Sequence, residues 1–183
     1  PPRSTLFPYT TLFRSAMVGN LTYRRPEREP DRPALADLAL KAQGLKARLA
    51  ALVSEDSAAF EAVMAAMRLP KGTDDEKATR TAAIEAANDQ ATRVPEETLA
   101  LCAEVADLAR QAVATGYEAC LSDAGVAAAA SQAGAEGAYL NVRINLKGSR
   151  DPRVEARGKA ADQCLAQVRA VVAEALADIG TRW

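Results

Sequence analysis

The sequence predicts an all-α protein, an antiparallel bundle of long helices, and three observations carry that expectation. Apolar residues make up 49% of the 183-residue chain and aromatics only 4%. Much of the apolar total is alanine, which favours helices packed through small side chains. Long stretches repeat apolar residues at three- and four-residue intervals, and almost no run alternates β-branched residues as a strand would. Turn signals at Pro70-Lys71-Gly72, Thr115-Gly116 and Gly148 divide the chain into segments of helical length. Four or five antiparallel helices joined by short loops follow, in one domain over residues 16–183.

Residues 1–15, PPRSTLFPYTTLFRS, hold two of the three phenylalanines and no alanine. They resemble translated sequencing-adaptor sequence and are expected to be a non-native leader outside the core. Residues 16–22, AMVGNLT, read as the last turns of a helix. Tyr23 to Pro33, with three prolines and four arginines, reads as a solvated connector. Within it Arg24 and Arg25 are candidates to meet an anionic ligand, or are simply solvated.

Pro33 suits a first helical turn, and Leu35, Leu38, Leu45, Leu49, Leu52, Phe60, Val63 and Met67 then recur at helical spacing to Leu69. Leu35, Ala42, Leu49, Asp56 and Val63 step by seven, which places Asp56 in the apolar stripe. Either this carboxylate is buried toward other helices, or the helix is rotated so that it reaches water or an arginine. Thr73-Asp74-Asp75-Glu76 is a capping box that starts the next helix. Lys71 lies in the turn before it, placed to extend over a site mouth or to complement the preceding helix dipole.

The second helical region, Asp74 to about Ala114, is expected to break or kink at Val94-Pro95, because proline lacks a donor and crowds the preceding turn. Ser122 is the expected N-cap of the central helix, with Asp123 in its first turn, where a carboxylate complements the helix dipole. That helix, Ser122 to Lys147, carries Ala127 to Ala130, Ala133, Gly134, Gly137 and Ala138, so a second helix can approach closely. This small-residue face predicts an intertwined or tightly packed homodimer. Asn141 and Asn145 sit one turn apart among Leu140, Val142, Ile144 and Leu146. They either tie down a helix end or a dimer contact, or bind a ligand. Asp151-Pro152 is expected to cap and begin a final helix carrying Leu165, Val168, Val172, Leu176 and Ile179.

Several function classes are excluded or disfavoured. The net charge of −1 provides no global field for nucleic acid or an acidic membrane. No apolar run approaches a membrane span. The chain has no histidine, so histidine-dependent nucleophile systems are absent. Cys102, Cys120 and Cys164 are odd in number and widely spaced, fitting neither a disulfide framework nor a zinc site, and point to a reducing, cytoplasmic setting.

Six motifs occur in the order Met17-Val-Gly-Asn-Leu-Thr22, Asp56-Ser-Ala-Ala-Phe60, Arg68-Leu-Pro-Lys71, Val94-Pro95, Ser122-Asp-Ala-Gly-Val-Ala127 and Asn141-Val-Arg-Ile-Asn-Leu146. With them, residues 16 to the end resemble the cyclodeaminase/cyclohydrolase family. That family comprises formimidoyltetrahydrofolate cyclodeaminase domains and serine-cycle methenyltetrahydrofolate cyclohydrolases. Two departures stand out: the family's initial helix with a Pro-Gly-Gly-Gly-Ser turn is absent, and its lysine-rich stretch is here Tyr23, Arg24 and Arg25. The resemblance therefore also implies an N-terminally truncated form.

The resemblance implies chemistry at the carbon bridging N5 and N10 of tetrahydrofolate, with no metal or redox cofactor. Hydrolysis of 5,10-methenyltetrahydrofolate to 10-formyltetrahydrofolate is the leading expectation. Cyclodeamination with release of ammonia is an alternative, and a non-catalytic helical interaction module is another. Asp56, Asp123 and Lys71 are the implied catalytic candidates, with Lys71 serving the glutamate tail or a proton. Asn20, Arg24, Arg25, Asn141 and Asn145 are the substrate-binding candidates. Asp123 and Asn141 face the same way but lie about 27 Å apart along a straight helix. If both act on one pterin, either the central helix is broken or two subunits share the site.

Overall fold

The computed structural model describes residues 14, 16–19, 21–24 and 26–182. Four long helices carry the fold: α1 (Arg32–Met67), α2 (Asp74–Thr115), α3 (Leu121–Leu146) and α4 (Val154–Thr181). Short 3-10 turns at Pro26–Asp31 and Glu118–Cys120 precede α1 and α3. Residues 16–19 and 21–23 are helical, as expected, with Ala16, Val18 and Thr22 buried. The Thr22 hydroxyl accepts the Tyr117 N–H at 3.0 Å, which ties this segment to the α2–α3 connection. Among the described residues no strand occurs, and no helix is long and apolar enough to cross a membrane.

Helix α2 is the hub, packing against α1, α3 and α4, while α3 and α4 also pack on each other. The main core joins Leu99, Ala106 and Val113 of α2 to Ala124, Ala127, Ala128, Ala135 and Val142 of α3 and Val168 and Val172 of α4. Small side chains set the spacing. A Cβ on Gly125 would lie 2.9 Å from the Ile179 side chain, and one on Gly134 would lie 3.1 Å from the Cys102 sulfur. The expected tight packing of the central helix is therefore present within the single chain.

A second cluster, Leu49, Leu52, Ala59, Val94, Leu101 and Val105, joins α1 to α2. Beyond it the two helices run on as a hairpin in which α1 buries only Ala66, and α2 buries nothing before Thr92. The capping box closes its tip as predicted. Thr73 accepts the Glu76 N–H at 3.2 Å, and the Glu76 carboxylate accepts from Thr73 at 3.0 Å and Gly72 at 2.7 Å.

Pro95 does not break α2, which continues through it. A proline at position 95 removes the donor for the Ala91 carbonyl four residues earlier. The Asn145 side-chain amide donates to that carbonyl instead, at 2.9 Å. One of the two helix-α3 asparagines therefore supplies a backbone bond that its neighbouring helix lacks.

Two helix starts differ from expectation. Helix α3 begins at Leu121 with Cys120 at the N-cap, where its side chain does not cap the helix, and Ser122 is an exposed first-turn residue. The preceding 3-10 turn already sets the entry, so no serine cap is needed. Helix α4 begins at Val154, with Pro152 outside it. Asp151 accepts the Arg153 N–H at 2.8 Å and shapes the loop rather than capping the helix. Gly148 ends α3 with φ +80°, the left-handed conformation that favours glycine.

An ion network fixes that loop to α2. Arg157, 13% exposed, donates to Glu96 at 2.7 and 2.8 Å, to Asp89 at 2.7 Å and to Asp151 at 3.0 Å. Arg153, through its side chain and then its N–H, holds the Asp151 carboxyl well below the usual carboxylate range. Burial pushes Asp89 upward, but bonds from Arg157 and Arg93 outweigh it and leave Asp89 depressed too.

Two predictions follow from these contacts. Asn145→Ala should destabilise the fold by about 1–3 kcal/mol, the cost of a buried acceptor left unmatched. In a Pro95→Ala background, where residue 95 regains its N–H, the loss should shrink to a few tenths; urea unfolding of the four proteins checks the coupling. An undiminished loss would deny that Asn145 serves the Pro95 gap. Second, depressed carboxylates stabilise the fold above their unfolded pKa values and lose that contribution as pH falls through the folded ones. The gap in unfolding midpoint between the parent and Arg157→Met should thus be widest near pH 7 and narrow below about pH 4. A gap unchanged down to pH 3 would assign Arg157 a packing role.

Candidate active site

The structure separates the candidate residues into an α1–α3 group at one level of the bundle and others far from it. Arg48 donates to Glu97 at 2.7 Å, aligning α1 residue 48 with α2 residue 97. Eight residues further along α1, Asp56 therefore stands level with Asp89 of α2. The Asn145–Ala91 bond puts Asn145 two residues from that level. Asp56, Asn145 and Asn141 thus span roughly 9 Å of axial height. Lys71, exposed in the hairpin turn, lies more than about 15 Å further out.

Asp56 is exposed, and among the described residues no hydrogen-bond or ion-pair partner occupies it. Of the two readings, burial toward other helices is overturned and the rotated helix with Asp56 reaching water holds. Leu38, five turns earlier on the same face, is buried, but past Leu52 the seam moves to Ala59 and Ala66 and leaves Asp56 outside it. The carboxylate that does face α2 is Glu55, which with Glu97 brackets Arg48. Arg48 in turn holds Glu97 below its ordinary range.

Asp123 is partly buried in the first turn of α3 and pairs with Arg14. Because α3 is continuous, Asp123 stays about 27 Å from Asn141 of the same chain. Asn141 is exposed, whereas Asn145 is half-buried with its amide N–H committed to Ala91. Arg24 is exposed; Asn20 and Arg25 lie outside the described residues.

Beside the Asp56–Asn145 level, a groove of about 460 Å³ runs between α2 and the α3–α4 loop. Ile84, Asn88 and Asp89 line one side and Gly148 to Arg153 the other. Its volume suits a small organic ligand. Asp89 and Asp151 make it rigid through Arg157, and Arg150 approaches Glu85 across it at 3.8 Å. Asn88 is half-buried, with no hydrogen bond to its side chain among the described residues. An unmatched amide, an arginine and nearby carboxylates can orient a polar heterocycle with an anionic substituent. Sequence reasoning missed Asn88, Asp89 and Arg157. The signal within reach was Pro95, whose orphaned Ala91 carbonyl marks the place where another element must dock.

Comparison with known proteins places this chain in a family. Residues 14–163 match the formiminotransferase-cyclodeaminase family model. The chain is 41% identical over 136 residues to methenyltetrahydrofolate cyclohydrolase of Methylorubrum extorquens, an alignment covering 74% of this chain and 65% of that protein. It is 42% identical over 146 residues to formimidoyltransferase-cyclodeaminase of Sus scrofa, covering 78% of this chain and 26% of that protein. The chain thus spans just under two thirds of the bacterial relative and about a quarter of the mammalian one. The solved formiminotetrahydrofolate cyclodeaminase of Thermotoga maritima superposes with a TM-score of 0.85 over 98% of this chain and 86% of that one. At 21% identity it supports the fold alone. On the family match and these relatives, this all-α chain belongs to the formiminotransferase-cyclodeaminase family.

Proposed function

We propose that this chain acts in folate one-carbon metabolism and hydrolyses 5,10-methenyltetrahydrofolate to 10-formyltetrahydrofolate. The observation that carries this reading is the 41% identity to the Methylorubrum extorquens methenyltetrahydrofolate cyclohydrolase across about three quarters of the chain. Water adds to the cationic amidinium carbon as a carboxylate takes one of its protons; the carbon–N5 bond then breaks as N5 takes that proton, and the remaining hydroxyl proton leaves to solvent as the formyl C=O forms. Asp56 and Asp123 are the candidate acid/base groups, and Lys71 serves the glutamate tail or a proton. Asn20, Asn141 and the free Asn145 carbonyl meet the pterin, with Arg24 and Arg25 toward anionic groups. No cofactor beyond the folate substrate is proposed. Identity to the mammalian cyclodeaminase keeps ammonia-releasing lyase chemistry on the formimino compound as the second reading. Both routes pass through a tetrahedral carbon, so one acid/base set serves either.

The protein is further proposed to work in the cytoplasm as a homodimer, without nucleic-acid or membrane partners. Burial pushes the Cys102 thiol up to about 12, so it stays protonated and inert.

The test follows loss of the methenyl compound's near-ultraviolet absorbance, with ammonia release from the formimino compound assayed in parallel. Asp56→Asn should lower turnover roughly a hundredfold or more while leaving the melting temperature unchanged, since an exposed, unpartnered carboxylate holds nothing together. A variant with full rate and a lower melting point would move the acid/base role to Asp123. A folate analogue should also raise the melting temperature; no shift and no turnover would leave a helical interaction module.

A further inference from the structure

A second groove, of about 540 Å³, lies between the end of α3 and the start of α4, and it shares no lining residue with the groove beside Asn88. Its apolar part comes from the buried Leu146 and the half-buried Val154. Three cations, Arg143, Lys147 and Lys159, line it with two carboxylates, Glu155 and Asp162. These charges are not paired off within the groove. Asp162 is already engaged, since it accepts the Tyr139 hydroxyl at 2.9 Å and lies 3.5 Å from the Arg143 guanidinium. Lys147 and Lys159 are exposed and have no hydrogen-bond or ion-pair partner among the described residues. The groove beside Asn88 differs, because its Arg150 faces Glu85 and its Arg153 is bonded to Asp151 and Asp89. The α3–α4 groove is thus the one with two uncommitted ammonium groups beside a guanidinium that has N–H donors to spare.

A glycine sets the guanidinium in place. Gly158 is buried inside α4, where glycine is a poorer helix former than alanine. A Cβ there would come within 3.2 Å of a guanidinium nitrogen of Arg143. The missing side chain lets Arg143 lie across α4, with its guanidinium 6.0 Å from the centre of the Tyr139 ring. Tyr139, Asp162 and the bare backbone at Gly158 order this group before any ligand arrives, which lowers the cost of binding. Arg143 and Lys147 stand one turn apart, about 6 Å along α3, and Lys159 lines the groove from α4. Cations spaced in this way suit a chain of linked anionic groups better than one isolated ion.

The groove is separate from the folate candidates on the same helix. At about 100° per residue, Arg143 points about 160° around α3 from Asn141. The two residues therefore serve opposite faces, and a ligand held by Arg143 leaves Asn141 free.

We propose that the α3–α4 groove binds a compact oligo-anion, either a di- or triphosphate chain or a tricarboxylate, through Arg143, Lys147 and Lys159. This site does not depend on the folate reading. Calorimetric titration of the full chain at low ionic strength tests it, with tripolyphosphate and citrate as the probes. At least one of the two should bind with a dissociation constant below about 1 mM. The tighter of them identifies the ligand as phosphate chain or tricarboxylate. Lys147→Gln and Lys159→Gln should each weaken that binding roughly fivefold, whereas Lys41→Gln, on the exposed surface of α1, should leave it unchanged. Glu155→Gln removes a repelling carboxylate and should tighten binding about twofold. Gly158→Ala favours the helix, so the melting temperature should hold or rise, yet it pushes Arg143 aside and should weaken binding at least ~threefold. No binding of either probe, or binding that the groove substitutions leave unchanged, would overturn the proposal and leave adventitious ion binding only. Displacement of the bound probe by a folate analogue would also overturn it, because the groove would then belong to the folate site.

Discussion

The bond from Asn145 to the Ala91 carbonyl is the contact on which the arrangement of the bundle turns. Pro95 leaves α2 with an acceptor that its own backbone cannot satisfy, and a partly buried orphan of this kind is costly. Only an element docked at that height and rotation can match it. Asn145 does so from the last turn of α3, which pins α3 to α2 in both register and rotation. The alanine and glycine contacts along the rest of α3 tolerate sliding far better than a hydrogen bond does. Polar specificity at one point thus complements non-directional packing along the helix.

With its rotation set, α3 has a defined outer face. The Arg157 network acts at the same end of the bundle by holding the α3–α4 loop against Asp89 and Glu96. These two polar clamps make the groove beside Asn88 rigid. The α1–α2 hairpin beyond the clamps has few buried side chains, and local stability follows buried contacts. Its apolar residues Phe60, Met67 and Leu69 stay exposed, as do Val126, Leu140 and Ile144 on α3.

The fold was legible because alanine-rich helical periodicity, the Thr73 capping box, Gly116 and Gly148 all point to the same elements. Site residues were harder to read, for physical reasons that differ. A seven-residue row put Asp56 in the apolar stripe, but past Leu52 the buried seam of α1 moves to Ala59 and Ala66. Asn141 and Asn145 look equivalent in sequence, yet one is exposed and the other has its amide committed to Ala91. Ser122 reads as a cap only until the 3-10 turn before it is seen. Arg157 and Asp89 are 68 residues apart and meet through tertiary packing, which no local pattern encodes. The 27 Å gap between Asp123 and Asn141 was visible from spacing alone, and the unbroken α3 removes the broken-helix explanation.

The central claim is that the Asn145 bond to Ala91 fixes how α3 docks on α2, and amide hydrogen exchange tests it most directly. In Asn145→Ala the amides of the last turns of α3 should exchange roughly tenfold faster than in the parent, while those beside the Thr73 capping box keep their rates. Equal exchange along α3 in the two proteins would contradict the account.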